Sequence, residues 1–176
     1  VGKKDVSPGV AIDLLQKLGS EFPVYISKGN HEMRTGLYTE QYGDIWECLY
    51  EQTKDYAHWL INEKATLASD NIQIVGLDID AAYYRRFRLQ KMETDYLVKL
   101  LPTRHQDAYT ILLAHNPDYF PVYAEWGADL VLSGHVHGGM VILPVLGGVV
   151  SPMVRLFPKY YRGMYECRNK KMILTG

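Results

Sequence analysis

Three short clusters carry most of the chemistry this sequence can offer: Asn30-His31-Glu32, His115-Asn116, and His135 with His137 inside SGHVHGG. An imidazole can bind a divalent cation, move a proton near neutrality, or serve as a polar loop residue, and residue type alone leaves all three readings open. Spacing narrows them. Each cluster follows an apolar stretch that reads as a strand, VYIS, TILLA or LVLS, and open α/β sheets place their ligand sites just beyond the carboxyl ends of such strands. Glycines 134, 138 and 139 let the backbone turn and approach a ligand closely. A lone histidine is weak evidence, but three clusters converging on one sheet edge favour a divalent-cation site.

The elements that must position these residues follow from the same pattern. Ser7-Pro8 reads as a helix start and Gly19 as its stop, with Ile12, Leu14, Leu15 and Leu18 on the apolar side. Val24 to Ser27 reads as a buried strand, half of a βαβ unit whose other strand would precede Val1. From Thr39 to about Asn62 the spacing of Tyr42, Ile45, Trp46, Leu49, Tyr56 and Leu60 predicts a helical stretch. KATLAS and IQIVGLDI predict a hairpin turning at Asp70-Asn71. KMETDYLVKLL predicts a helix, Tyr109 to Ala114 a strand, Pro117 a helix start, and ADLVLS a strand. The tail predicts two antiparallel strands around Asn169.

GNHE, AHNP and GHVHGG, in this order and spacing, resemble the later motifs of the calcineurin-like metallophosphoesterases. The longer pattern GHVHGGMVILP…LFPKYYRGMYE is similar to the bacterial, membrane-associated YkuE-type branch. The resemblance runs from about Ile26 to Tyr165. It implies an α/β fold, a β-sandwich flanked by helices in four layers (α/β/β/α), incomplete at its N-terminus. It implies a phosphoester hydrolase with two divalent cations (manganese, zinc or iron) sharing a hydroxide nucleophile. By the same resemblance Asn30, His115 and His135 match ligands of the second metal and His137 a ligand of the first. His31 matches the histidine beside the scissile phosphate, and Glu32 matches the acid that orients His31.

The family's two earlier motifs, DxH and GDxxD, supply carboxylates to the first metal and the bridge. No DxH precedes Asn30 here, and no GDxxD occurs. Asp44 in YGDIWE sits in a helical context and is rejected as a substitute. Asp78 and Asp80 in GLDID are the remaining replacements, set aside because that strand end lies beside the active-site entrance in the family pattern. Four neutral ligands facing two doubly charged cations predict one cation or none in this chain alone. The rival reading is therefore a noncatalytic cation-binding or interaction domain; a third is a structural α/β domain with incidental histidines.

Bulk properties bound the rest. The 176 residues suit one domain spanning 1–176, and both ends read as cut. The net charge of -1 gives no field toward nucleic acid, and no specific nucleic-acid binding is expected. Cys48 and Cys167 form no CxxC pair. No apolar run reaches the length of a spanning helix, so this chain is expected to be soluble and the longer protein cytoplasmic or membrane-associated. The substrate is expected to be a phosphoester, lipid-like or nucleotide. The apolar run at 140–160 reads either as core or as a lip for peripheral membrane contact, with Arg155, Lys159 and Arg162 in or just beyond it. YYRRFR (83–88) reads as a phosphate-ligand contact or, preferably, a solvated linker. Met140 stands where many members of the resembled family carry a glutamine, so no polar substrate contact is carried over to that position.

Overall fold

The computed structural model describes residues 7–67, 71–85, 90–136, 141–143, 147–150 and 158–176. Helix α1 (Gly9–Glu21) starts at Pro8, where the Ser7 hydroxyl accepts from Gly9 N at 3.2 Å. It runs through Gly19, contrary to the stop expected there. A Cβ on Gly19 would lie 2.0 Å from Tyr56 O, so this glycine serves close approach, not termination. The helix ends at Phe22, which is extended (φ −137°, ψ 151°) because Pro23 follows.

Strand β1 (Tyr25–Ile26) leads into α2 (Asn30–Leu37), then α3 (Thr39–Tyr42) and α4 (Ile45–Thr53). The helical stretch expected over 39–62 is thus broken twice. Gly43 at φ 64° separates α3 from α4, and β2 (His58–Trp59) replaces the final turns. The aromatic spacing belongs to packing between elements: Trp59 meets Trp46 edge-on at 5.1 Å and donates to Thr53 Oγ1 at 3.0 Å. β2 pairs with β1 in parallel.

The main sheet has the order β3-β4-β5-β6-β10-β9, formed by Lys64–Leu67, Ile72–Leu77, Tyr109–Ala114, Leu130–Ser133, Lys170–Leu174 and Gly163–Cys167. β4, β5, β6 and β10 run parallel, with β3 and β9 antiparallel at the edges. The expected hairpins are present. β9 and β10 turn through Arg168 and Asn169, both left-handed at φ 52° and 59°. The first hairpin's turn at 68–70 lies outside the described residues. This mixed sheet flanked by helices is the α/β fold expected. β7 (Val141–Leu143) and β8 (Gly147–Val150) form a separate antiparallel ladder.

One face of the sheet, with Val75, Leu77, Leu112, Ala114, Val131, Met172 and Leu174, is buried in one cluster with Leu97 of α5 (Thr94–Leu100) and Phe120 and Tyr123 of α6 (Phe120–Trp126). Burial of each such side chain stabilises by about 1.5–3 kcal/mol. On the opposite face Leu132, Ile173 and Met164 sit side by side across three strands. They are 38%, 43% and 69% exposed. Apolar residues on both faces are what a sandwich layer carries.

Parallel pairing puts the ends of β4, β5 and β6 at one edge, and polar ties draw the β1 loop to it. Ser27 Oγ donates to Leu77 O at 3.1 Å, and the Asn62 side chain brackets the backbone of Asp78, donating to its carbonyl at 3.2 Å and accepting from its N–H at 2.8 Å. Gly76 lets the chain before β3 cross β4, since a Cβ there would lie 2.0 Å from Leu60 O. Gly76→Ala is therefore expected to lower stability by about 1–3 kcal/mol, the range for an overpacked core. Gly9→Ala, whose Cβ would meet only Ser7 Oγ at 3.4 Å, is expected to be neutral or stabilising by up to about 1 kcal/mol. Thermal unfolding of the two variants beside the parent checks the contrast.

Candidate metal centre

One residue of each strand-end cluster meets the others where the sheet edge and the start of α2 converge. Asn30 is the first residue of α2, His115 follows β5, and His135 follows β6. His115 Nε2 lies 2.9 Å from Asn30 Oδ1, and His135 Nδ1 lies 3.2 Å from the same oxygen. The two imidazoles stand edge to face with centroids 5.1 Å apart.

These separations bear on what the cluster can hold. Two ligand atoms about 2.1 Å from one cation and about 90–110° apart lie about 3.0–3.4 Å from each other. Each imidazole nitrogen lies close to that spacing from the Asn30 oxygen, at 2.9 and 3.2 Å, so the donor set fits a single divalent cation. Among the described residues no group of three or more His, Cys, Asp or Glu forms such a site; the third donor here is an amide oxygen.

Local folding sets each position. His135 adopts φ 73°, a left-handed conformation that a β-carbon disfavours. Gly134 before it donates its N–H to His115 O at 3.2 Å, and Ser133 Oγ donates to Ala114 O at 2.6 Å, which ties the two histidine loops together. Gly29 permits the approach of the first loop: a Cβ there would be 2.9 Å from Glu32 Oε2 and 3.1 Å from the His115 ring. Glu32 Oε2 accepts from Gly29 N at 3.0 Å. The acid expected to orient His31 therefore has a capping contact, holding the first turn that carries both Asn30 and His31. His31 is half-buried with Nδ1 closed off from solvent. Adjacent helical residues leave the axis about 100° apart, so the Cα–Cβ bonds of Asn30 and His31 take different directions from α2.

The structure does not bring every expected residue into the cluster. His137, the glycines 138 and 139, Met140 and Arg155 lie outside the described residues, as does most of the 140–160 run beyond the backbone of β7 and β8. Lys159 and Arg162 are exposed. Asp78 faces Lys28, whose Nζ is 3.6 Å from Oδ2 and 4.3 Å from the centre of the Trp46 ring. Burial raises the Asp78 carboxyl above its ordinary value, with Lys28 opposing that shift. Asp80 caps a 3-10 turn (Ala81–Tyr84) by accepting from Ala82 N at 2.7 Å. Both are thus engaged elsewhere.

Sequence reasoning quoted Tyr84 and Asn116 within their motifs but gave neither a role of its own. The Tyr84 ring lies 5.4 Å from His135 and 6.3 Å from His115, centre to centre. Asn116 is fully buried and donates to Tyr83 O at 3.1 Å. The solvated-linker reading of YYRRFR is corrected for its two tyrosines, since Tyr83 belongs to the core and Tyr84 walls the cluster; residues 86–89 lie outside the described residues. The strand-end rule used for the histidines could have found Tyr84, which follows β4.

The sequence model described as Calcineurin-like phosphoesterase matches residues 4–139. The chain belongs to the calcineurin-like phosphoesterase family. An uncharacterized metallophosphoesterase, YkuE of Bacillus subtilis, is 39% identical over 162 residues, covering 88% of this chain and 49% of the relative. The phosphodiesterase YaeI of Escherichia coli is 29% identical over 144 residues, 80% of this chain and 46% of the relative. The UDP-2,3-diacylglucosamine pyrophosphatase LpxG of Chlamydia trachomatis is 40% identical over 85 residues, 48% of this chain and 22% of the relative. The chain thus spans half or less of the length of these curated relatives. No solved structure matches it. Family membership makes phosphoric ester hydrolysis with divalent metals the general chemistry of this fold. Among the described residues no helix is long and apolar enough to cross a membrane.

The capping contact of Glu32 makes its own expectation. Glu32→Ala should lower stability by about 1 kcal/mol, while Glu32→Gln, which keeps an acceptor oxygen, should retain most of it. Denaturant titration of the two variants measures the difference.

Proposed function

We propose that the complete protein is a divalent-cation-dependent phosphoester hydrolase. On this reading residues 1–176 are one domain that supplies the second-metal half of a dinuclear centre, through Asn30, His115 and His135. The observation that carries the proposal is the meeting of both ring nitrogens on Asn30 Oδ1, at 2.9 and 3.2 Å. His137 is assigned to the first metal by resemblance. Bound there, manganese, zinc or iron would neutralise phosphate oxygens and make water a competent nucleophile at neutral pH.

The chain's own residues do the remainder. Asn30 and the two imidazoles are neutral donors, and each histidine must give up the proton on its ligating nitrogen when a cation binds. His31, one residue along α2, is assigned beside the phosphate by the family resemblance. It hydrogen-bonds the phosphate and hands a proton to the departing oxygen. Glu32 holds the turn that fixes both. On the substrate side, LpxG is named for a diacylated nucleotide pyrophosphate and YaeI for a phosphodiester. Those names, together with the apolar sequence at 140–160, support a phosphodiester or pyrophosphate with a lipid-like portion, and a peripheral membrane contact through that run.

A second reading, cation binding without turnover, is favoured for these 176 residues taken alone. Asp78 is occupied by Lys28 and Asp80 by its cap, so neither stands in for the family's bridging carboxylate.

In the complete protein, His31→Ala is expected to lower turnover of an aryl phosphodiester by about 10²–10⁴-fold, the range for a lost acid-base group, with metal content unchanged. His115→Ala is expected to lose metal and turnover together. Elemental analysis and hydrolysis on the same samples separate the two. Equal metal loss in His31→Ala would sink the assignment of His31.

A further inference from the structure

Tyr84 touches both candidate histidines and nothing in the family pattern accounts for it. It ends the 3-10 turn that follows β4. Its ring is tilted 59° to His135 at 5.4 Å and 54° to His115 at 6.3 Å, while the two imidazoles stand 5.1 Å apart at 69°. The three rings close a triangle of inclined contacts.

The turn beneath Tyr84 is held from several sides. The Tyr83 carbonyl accepts from the buried Asn116 side chain at 3.1 Å, and the Tyr119 hydroxyl oxygen lies 3.4 Å from it. The Tyr83 ring packs edge-on against Tyr119 at 5.5 Å and against Tyr96 at 4.8 Å. Tyr119 OH also donates to Gln90 O at 3.0 Å, which pins the far side of the segment. Asp80 caps the start of the turn, and its own N–H donates to Tyr96 OH at 3.1 Å. Tyr84 is therefore presented to the histidines by a fixed backbone.

An imidazole ligand needs its ring plane set as well as its position, because the lone pair lies in that plane. Groups that orient a ligand ring from behind ordinarily change metal affinity by about 10–100-fold when removed. Backbone position leaves a histidine χ2 angle open, and a flat ring packed against both His115 and His135 restricts the two together. Resting on the cation site proposed above, we propose that Tyr84 is a positioning residue for it: an aromatic wall that sets the ring planes of His115 and His135 so that Nε2 and Nδ1 converge on Asn30 Oδ1. The contact is made by the ring face and edge and does not require the hydroxyl.

The test is titration of the protein with Co²⁺, a spectroscopically visible divalent cation, followed by visible absorption and calorimetry. Tyr84→Phe is expected to keep the parent affinity and spectrum. Tyr84→Leu is expected to weaken Co²⁺ binding by about tenfold or more and to alter the absorption band. Tyr84→Met replaces it if near-ultraviolet circular dichroism shows that Tyr84→Leu is not folded. A folded aliphatic variant with the parent affinity and spectrum would overturn the proposal, as would loss of binding in Tyr84→Phe equal to that in the aliphatic variant. Failure of both aliphatic variants to fold would also overturn it, in favour of a purely structural role. If the parent binds no Co²⁺, the cation-site reading itself fails; if the parent binds and the aliphatic variant matches it, only the role of Tyr84 fails.

Discussion

A single carboxamide oxygen, Asn30 Oδ1, lies within hydrogen-bond reach of ring nitrogens 85 and 105 residues further along the chain. That meeting requires the start of α2 to stand over the ends of β5 and β6 to within a few tenths of an ångström. Neighbouring parallel strands supply half of the requirement, because the pairing of Leu113 with Leu132 fixes how far His115 and His135 lie from one another. The other half must come from outside the main sheet, since β1 and β2 form their own ladder. Ser27 and Asn62 provide it by bonding the backbone at the end of β4.

These ties are polar for a reason. Where strands end, backbone groups lose their ladder partners, and each buried one left unsatisfied costs about 1–3 kcal/mol. Side chains placed at such ends both satisfy the backbone and fix one loop relative to the next. Ser133 does this for Ala114, and Thr175 N–H donates to Ser133 O at 3.0 Å, extending the seam to the end of β10. Tyr123 OH donates to Asn116 O at 3.0 Å. Burial pushes the Tyr123 phenol well up, so it stays protonated and remains a donor. The helical layer thus reaches the histidine-bearing edge through a hydroxyl as well as through apolar packing.

The sequence was informative where a residue's own type decided the outcome. The apolar runs of β4, β5 and β6, the turn at Asn169 and the polar clusters after the strands were all legible, because each depends on a short local pattern. The region after α2 was not. Trp46, Tyr56 and Leu60 fall at helical spacing, yet Trp59 and Leu60 answer to β1, with Leu60 N–H bonding Ile26 O at 2.7 Å. A long-range pairing overrode a local period. Gly19 misled in the same way, since its reason is the carbonyl of Tyr56 pressing on the helix. The insertion of β10 between β6 and β9 also left no local trace, because parallel pairing to a distant strand has no sequence period of its own. Within the site, the histidines declared themselves by chemistry, whereas Tyr84 and the capping contact of Glu32 act through geometry that only the fold reveals.

Charge closes the argument about the half-site. A calcineurin-like centre that holds two divalent cations needs anionic ligands to offset them, and neutral imidazoles and amides cannot do so alone. Asp78 is the carboxylate nearest in sequence logic, following a parallel strand as the histidines do. Its surroundings, however, are arranged around Lys28: the ammonium stands between the carboxylate and the Trp46 ring, both side chains are largely buried, and the two loops they join are the ones that carry Asn30 and Tyr84. Withdrawing Asp78 to ligate a metal would leave the part-buried Lys28 ammonium without its carboxylate. The pair therefore belongs to the scaffold that holds Asn30 in place, and the described residues offer a neutral, three-donor site whose natural complement is a carboxylate-rich half.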